Sequence, residues 1–246
     1  MDEPLAAFPE PPPPDSHDLR AAPCAPPAPT FVLPGEDAPL ESAGALTLAT
    51  GVLSRPANVL HEHRHREGTW WRLGLVVASG MAVTGLCLAA FSGGLQLVLV
   101  PLKLVIGMGL CALICLPSLH IFAALSGGRV SPRDTLGALL VGLALTSVLL
   151  LGFVPIAWLF SQATDSPRVA GGLHLAFFFV SAHFGLRLTR RALDALTGRP
   201  VPALALWSVL FLLVAAQMTT TLRPLVGPFD GTLLAPREFF LVDWFS

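Results

Sequence analysis

The chain has 246 residues, 53% of them apolar and 13% charged, with 15 Lys and Arg against 16 Asp and Glu. Soluble domains carry about 25% charged residues, so this composition, with a mean hydropathy of +0.68, excludes an ordinary soluble domain. The near-neutral balance also gives no footing for a nucleic-acid partner or a strongly acidic one.

Residues 1–40 hold twelve prolines, including the run Pro11 to Pro14, few large apolar side chains and a net negative charge. Such a segment cannot offset the entropy of folding. It is expected to be a disordered, Pro-rich cytoplasmic tail, partly in polyproline II. The proline run also suits an aromatic-lined groove on a partner domain. No continuous apolar stretch here resembles a secretory signal, so the first span is expected to serve as its own insertion signal.

Residues 41–69 shift from Ala/Leu-rich to polar, ending in His61, Glu62, His63, Arg64, His65, Arg66 and Glu67. The composition predicts a juxtamembrane amphipathic segment, a short helix lying on the membrane surface. Trp70, Trp71 and Arg72 follow, and paired tryptophans beside a cation suit the headgroup level where a helix enters the bilayer.

Residues 70–222 then carry five long apolar runs: Trp70 to Phe91, Pro101 to Leu125, Thr135 to Phe160, Ala170 to Leu188 and Pro202 to Leu222. A hydrocarbon core about 30 Å thick needs ~20 such residues in a helix. The predicted fold is therefore all-α, a polytopic transmembrane helix bundle of about five spans. Ser92 to Val100 is apolar and glycine-bearing but too short to span; it either lengthens a neighbouring helix or lies along the interface. Pro101 is expected to open the second span, with Lys103 snorkelling to the outer headgroups. Pro117 and Pro155 fall inside predicted helices and should kink them. Ser126, Gly127 and Gly128 give a sharp turn, and Ser131-Pro132 offers a cap and a first-turn proline for the third helix. Glycines at 74, 80, 85, 107, 109, 137 and 142 permit close helix approach, within the chain or to a partner's helix.

Arginines near the run ends are unevenly distributed. Arg55, Arg64, Arg66, Arg72, Arg129, Arg133, Arg187, Arg190, Arg191 and Arg199 fall on one side, whereas Arg168, Arg223 and Arg237 fall on the other. Cytoplasmic loops carry the positive excess, which places the amino terminus in the cytoplasm and, after five spans, the carboxyl terminus outside. Residues 223–246 are interrupted by Pro224, Gly227, Pro228 and Gly231 and end in Phe239, Phe240, Trp244 and Phe245. They are expected to form an extracytoplasmic interfacial segment.

Several constellations carry potential chemistry. His61-Glu62-His63-Arg64-His65 fits H-E-x-x-H, in which His61 and His65 on one helix face would hold zinc and Glu62 would act as general base. This resembles a zincin signature, but the segment is polar and juxtamembrane. The nearest third ligand, Asp230, falls on the opposite side of the membrane. The match is read as fortuitous, and no metal or cofactor is predicted. Phe179 to His183 fits F-x-x-x-H, but the glutamate pair that should accompany it is missing, and this too is read as chance.

Ionisable groups within spans are functional candidates by default. His120 and His183 fall in cytoplasmic half-spans and His174 near an outer end. With no buried carboxylate to complete a proton path, these histidines are expected to hydrogen-bond across helices or reach the interface. Gln217, Thr219, Thr220, Thr221 and Arg223 place polar groups at the outer end of the fifth run, where Lys103 and His174 would complete a substrate vestibule. Cys24, Cys87, Cys111 and Cys115 form no disulfide framework. Cys111 and Cys115 share a helix face and would suit a soft metal with outside help, but are read as small packing residues beside Gly107 and Gly109.

The segments Ser92-Gly93-Gly94-Leu95-Gln96, Pro101-Leu102-Lys103, Cys115 to Phe122 and Gln217 to Pro224 resemble a group of bacterial multi-pass inner-membrane proteins. The layout of five spans after a Pro-rich cytoplasmic tail is similar to that of the Yip1 domain family. The likeness covers residues 50–230 and, for Yip1, is mainly topological. It implies a non-enzymatic membrane organiser in the bacterial inner membrane, in a family whose eukaryotic members contact small GTPases. A single lysine and no tyrosine, with abundant alanine and arginine, are in keeping with a high-GC bacterial genome.

The leading functional expectation is a non-catalytic scaffold or accessory subunit of a membrane complex. Its partners would be membrane lipids and other membrane proteins, met through small-residue helix faces or the Pro-rich tail. A small-molecule transporter or channel subunit comes second, and a zinc-dependent membrane peptidase third.

Overall fold

A computed structural model describes residues 44–65, 68–90, 94–126, 130–163 and 167–221. Seven helices and no strand occur among them: α1 (Ala45–Ser54), α2 (Pro56–His65), α3 (Thr69–Ala90), α4 (Gln96–Leu125), α5 (Pro132–Ala163), α6 (Pro167–Thr197) and α7 (Ala203–Thr221). The expected tail over 1–40 and the segment 223–246 lie outside the described residues.

Four helices, α3 to α6, are long and apolar enough to cross a membrane. The fifth apolar run folds as α7, whose described apolar part, Ala203–Met218, is shorter than those four. In α3 and α5, 56% and 44% of the apolar window is buried inside the protein, against 22% in α4 and 28% in α6. The centre of the bundle is therefore α3 against α5, with α4 and α6 flanking.

The segment expected to be one short juxtamembrane helix is a pair of short helices docked on the bundle. α1 buries Leu48 and Val52, α2 buries Val59 and Leu60, and these side chains join the main core with Leu73, Val76 and Leu139. Apolar residues at three- and four-residue spacing give both helices a face to bury, and α3 and α5 supply the surface.

The second long helix begins at Gln96, so residues 96–100 lengthen it and Pro101 lies inside it, while Ser92 and Gly93 lie outside the described residues. Gly94 makes the turn into α4 at φ +58°, a left-handed conformation that glycine adopts without penalty. Gly85 of α3 sits against Pro101, where an added Cβ would come within 2.6 Å of the proline Cα.

α5 starts with a reciprocal cap. The Ser131 hydroxyl oxygen accepts from the Asp134 backbone N–H at 3.1 Å, and an Asp134 carboxylate oxygen accepts from the Ser131 N–H at 3.3 Å. Pro132 occupies the first helical position, where its missing N–H removes nothing.

α6 runs well past the predicted end at Leu188, because Ala192 and Leu193 keep its inner face buried. It ends at Gly198, φ +67°, as helices often do. An Asp194 carboxylate oxygen then accepts from the Val201 N–H at 3.0 Å and fixes the approach to α7. α7 buries Trp207 and Phe211 against α4, and the Trp207 indole N–H is shared between the Cys115 carbonyl and the Ser118 hydroxyl, both at 3.2 Å.

Candidate functional site

Glycine and hydroxyl residues set the contact of α5 with its neighbours. A Cβ at Gly142 would overlap the Thr189 hydroxyl and lie 2.7 Å from the Gly185 carbonyl. One at Gly185 would overlap the Thr146 hydroxyl and meet the Gly142 carbonyl. The two helices thus cross through matching Gly-x-x-x-Thr steps, 142–146 and 185–189, each glycine facing the other helix's backbone. Thr146 donates to the Gly142 carbonyl at 3.0 Å and Thr189 to the Gly185 carbonyl at 3.2 Å. Each hydroxyl is thereby satisfied within its own helix, as a buried polar group requires. On the other side of α5, Ser147 faces Gly80 of α3 and donates to the Ala144 carbonyl at 2.9 Å. The crevice lined by Met108, Leu143, Phe178, Ala182 and Phe211 beside these steps is too narrow to hold water.

At the amino end of α5 the chemistry changes from hydroxyls to imidazoles. His63 of α2 is 1% exposed, and its Nε2–H donates to the Arg133 carbonyl at 3.1 Å. Because a carbonyl only accepts, the Nε2 atom must carry the proton. Nδ1 is then the bare nitrogen, buried and without a hydrogen-bond partner among the described residues. The ring lies on Gly137, where a Cβ would overlap it. From α4, His120 Nδ1–H donates to the Thr135 hydroxyl at 3.1 Å, while that hydroxyl donates to the Ser131 carbonyl at 3.2 Å. Two histidines from different helices therefore grip the first turns of one helix.

Burial pushes the His63 imidazole below its ordinary value. The hydrogen bond to Arg133 opposes that shift, the Arg133 charge adds to it, and the Asp134 charge opposes it. The Nε2–H bond ties α2 to α5, and the bare Nδ1 is enclosed by the protein.

The residues singled out from the sequence have separate fates. His61 is exposed on α2, Glu62 is buried beside it, and the side chain of His65 lies outside the described residues. The buried members of the motif are Glu62 and His63. Val59 lies one turn before His63 on the same buried face, a spacing readable in the sequence. No group of three or more His, Cys, Asp or Glu suited to a metal occurs among the described residues.

His120 meets the expectation of a bond across helices. His183 is exposed and packs edge-on against Phe184. His174 turns back on its own helix, Nδ1–H donating to the Ala170 carbonyl at 2.9 Å, and its Nε2 has no hydrogen-bond partner among the described residues. It therefore makes no hydrogen bond to Lys103 of α4 or Gln217 of α7. The side chains of Thr219, Thr220 and Thr221, and all of Arg223 and Asp230, lie outside the described residues.

Cys111 and Cys115 are buried free thiols within the core, as packing residues should be, and Cys24 lies outside the described residues. Of the seven glycines marked for close approach, Gly80, Gly85, Gly137 and Gly142 meet another helix, but Gly74 and Gly109 face open space. Comparison with family models, curated proteins and solved structures finds no match to this chain.

Proposed function

We propose that this chain is a non-catalytic integral membrane protein acting as a scaffold or accessory subunit of a membrane complex. One observation carries the reading: at the helix crossings described above, buried hydroxyl, imidazole and indole groups are engaged in joining or capping helices. Thr146, Thr189 and Ser147 bond backbone at close crossings. His63, His120 and Thr135 bind α2 and α4 to α5. Trp207 ties α7 to α4. A solute path needs polar groups facing a wettable space, and the crevice among α4, α5, α6 and α7 is dry and apolar.

In this reading α7 is the fifth span, the amino terminus is cytoplasmic and the carboxyl terminus extracytoplasmic, following the arginine distribution and the positive-inside rule. The setting is the bacterial inner membrane.

The test is extraction of native membranes in mild detergent, with the size of the particle containing the chain measured beside solute flux in vesicles of the purified protein. A particle larger than the chain alone, with a defined second protein and no flux, supports the scaffold. A lone chain that conducts solute, with flux lost in His120→Ala or His174→Ala, replaces it with the transporter reading. Orientation is checked with a membrane-impermeant thiol reagent on intact cells carrying Ser54→Cys or Ala163→Cys, both exposed positions. The cysteine at 163, at the end of α5, should be labelled and the one at 54, before α3, protected; the reverse pattern would invert the topology.

A further inference from the structure

α6 has two unlike faces. The inner face, with Ser181, Ala182, Gly185, Leu186, Thr189 and Leu193, is buried. The outer face is exposed and changes character along its length. Val180 and Phe184 come first, 46% and 48% exposed, followed by Arg187, Arg190 and Arg191, all exposed. Residues 180, 184, 187 and 191 follow one another at three- and four-residue spacing, so they form one continuous stripe. At 1.5 Å per residue, Val180 to Arg191 spans about 16 Å, roughly half the hydrocarbon thickness.

The three guanidiniums have no hydrogen-bond or ion-pair partner among the described residues. The nearest carboxylate in sequence, Asp194, stands one turn beyond Arg190 and would be the natural partner. It is instead bonded to the Val201 backbone N–H. Arg72, by contrast, lies over the Trp71 ring, 5.5 Å from its centroid. The outer face of α6 thus presents unneutralised charge directly after apolar surface, on a helix long and apolar enough to cross a membrane.

We propose that this stripe is a binding site for an anionic glycerophospholipid, with the phosphate held by Arg187, Arg190 and Arg191 and an acyl chain lying along Phe184 and Val180. Charge complementarity selects the headgroup, because guanidinium forks match phosphate oxygens in pairs. The apolar stretch selects an amphiphile over a free phosphate ion. A soluble acidic protein segment would leave Phe184 and Val180 uncovered. The inference uses only the membrane-crossing character of α6 and stands whether or not the chain is a scaffold.

The test uses the full chain in neutral detergent, titrated with phosphatidylglycerol or phosphatidylcholine, with bound lipid counted by native mass spectrometry. Wild type should retain phosphatidylglycerol in preference. The triple variant Arg187→Gln/Arg190→Gln/Arg191→Gln should bind it at least about tenfold more weakly, since each arginine at an anionic surface contributes roughly fivefold. Arg55→Gln/Arg199→Gln, which removes exposed charge elsewhere, should bind as wild type. Equal retention of the two lipids, an unchanged triple variant, or an equal loss in the Arg55/Arg199 control would overturn the proposal.

Phe184→Trp keeps every arginine and guards against a triple variant that fails to fold. Its added fluorescence should be quenched more by acyl-brominated phosphatidylglycerol than by acyl-brominated phosphatidylcholine. Equal quenching by the two lipids would also overturn the site.

Discussion

The middle of α5 and its amino end are held by opposite means. At Gly142, Thr146 and Ser147 the neighbouring helices approach until backbone meets backbone, and each hydroxyl is satisfied by a carbonyl three or four residues earlier. At Arg133, Thr135 and Gly137 the contacts are long side chains from α2 and α4 reaching across. The first joint depends on the absence of atoms and contains nothing that titrates. The second depends on the presence of two imidazoles, of which His63 is held below its ordinary value by burial. Steric joints should therefore fail by substitution, and the contact of His63 should weaken also in acid, because burial disfavours its charged form.

The largest effect is expected at the crossing of α5 and α6. Gly142→Val or Gly185→Val places carbon on a threonine hydroxyl and within 2.7 Å of a backbone carbonyl, which cannot move aside as a side chain can. Each should cost about 3 kcal/mol, the upper end for overpacking, read as a collapse of the thermal midpoint in detergent. A near-wild-type midpoint would disprove the close crossing.

Next is Gly137→Ala, expected to cost about 1–3 kcal/mol because its methyl overlaps the His63 ring. His63→Ser in the same chain should recover part of that cost. Additive losses in this double-mutant cycle would show that the two residues do not touch.

The acid response should be smaller and graded. With the folded-state value of His63 lowered, the unfolded chain binds the extra proton first, so stability rises with pH. The full benefit is present above the ordinary imidazole value of about 6.5. It declines as pH falls below that value and is lost once pH passes the lowered folded value. The thermal midpoint should drop by a few degrees between neutral and mildly acidic buffer, and His63→Gln should flatten the curve. An equally steep curve in His63→Gln would move the response elsewhere.

Thr135→Val removes one hydrogen bond between α4 and α5 and should cost about 0.5–1.5 kcal/mol. Gly109→Ala is the counterexample, because Gly109 faces open space. The change should be neutral or stabilise by up to about 1 kcal/mol through helix propensity, and a large loss would mean that Gly109 is covered.

The helices were legible because their apolar runs are long and uncharged, and Ser131-Pro132 announced the start of α5 by cap chemistry alone. The docking of α2 was harder to read. A run of histidine and arginine looks solvent-facing as composition, although His63 shares a buried face with Val59 and Leu60. H-E-x-x-H drew attention to His61 and His65, while the packed imidazole was the residue between them. Gly142 was marked, but its counterpart Gly185 was not, because the repeated Gly-x-x-x-Thr step has meaning only once both helices are placed together. Gly74 and Gly109 show the converse: a glycine in a sequence does not say which side of its helix is covered.

The bond between His63 and Arg133 joins residues 70 positions apart. A ribosome adding ~5–20 residues per second needs about 4–14 s to make that interval. During that time α2 has no α5 to receive it, and its imidazole must remain in water while α3 and α4 are inserted. Docking of α2 is thus a late event in biogenesis, and a chain interrupted before residue 137 would leave the α2 face that carries Val59, Leu60 and His63 open to a chaperone or a protease.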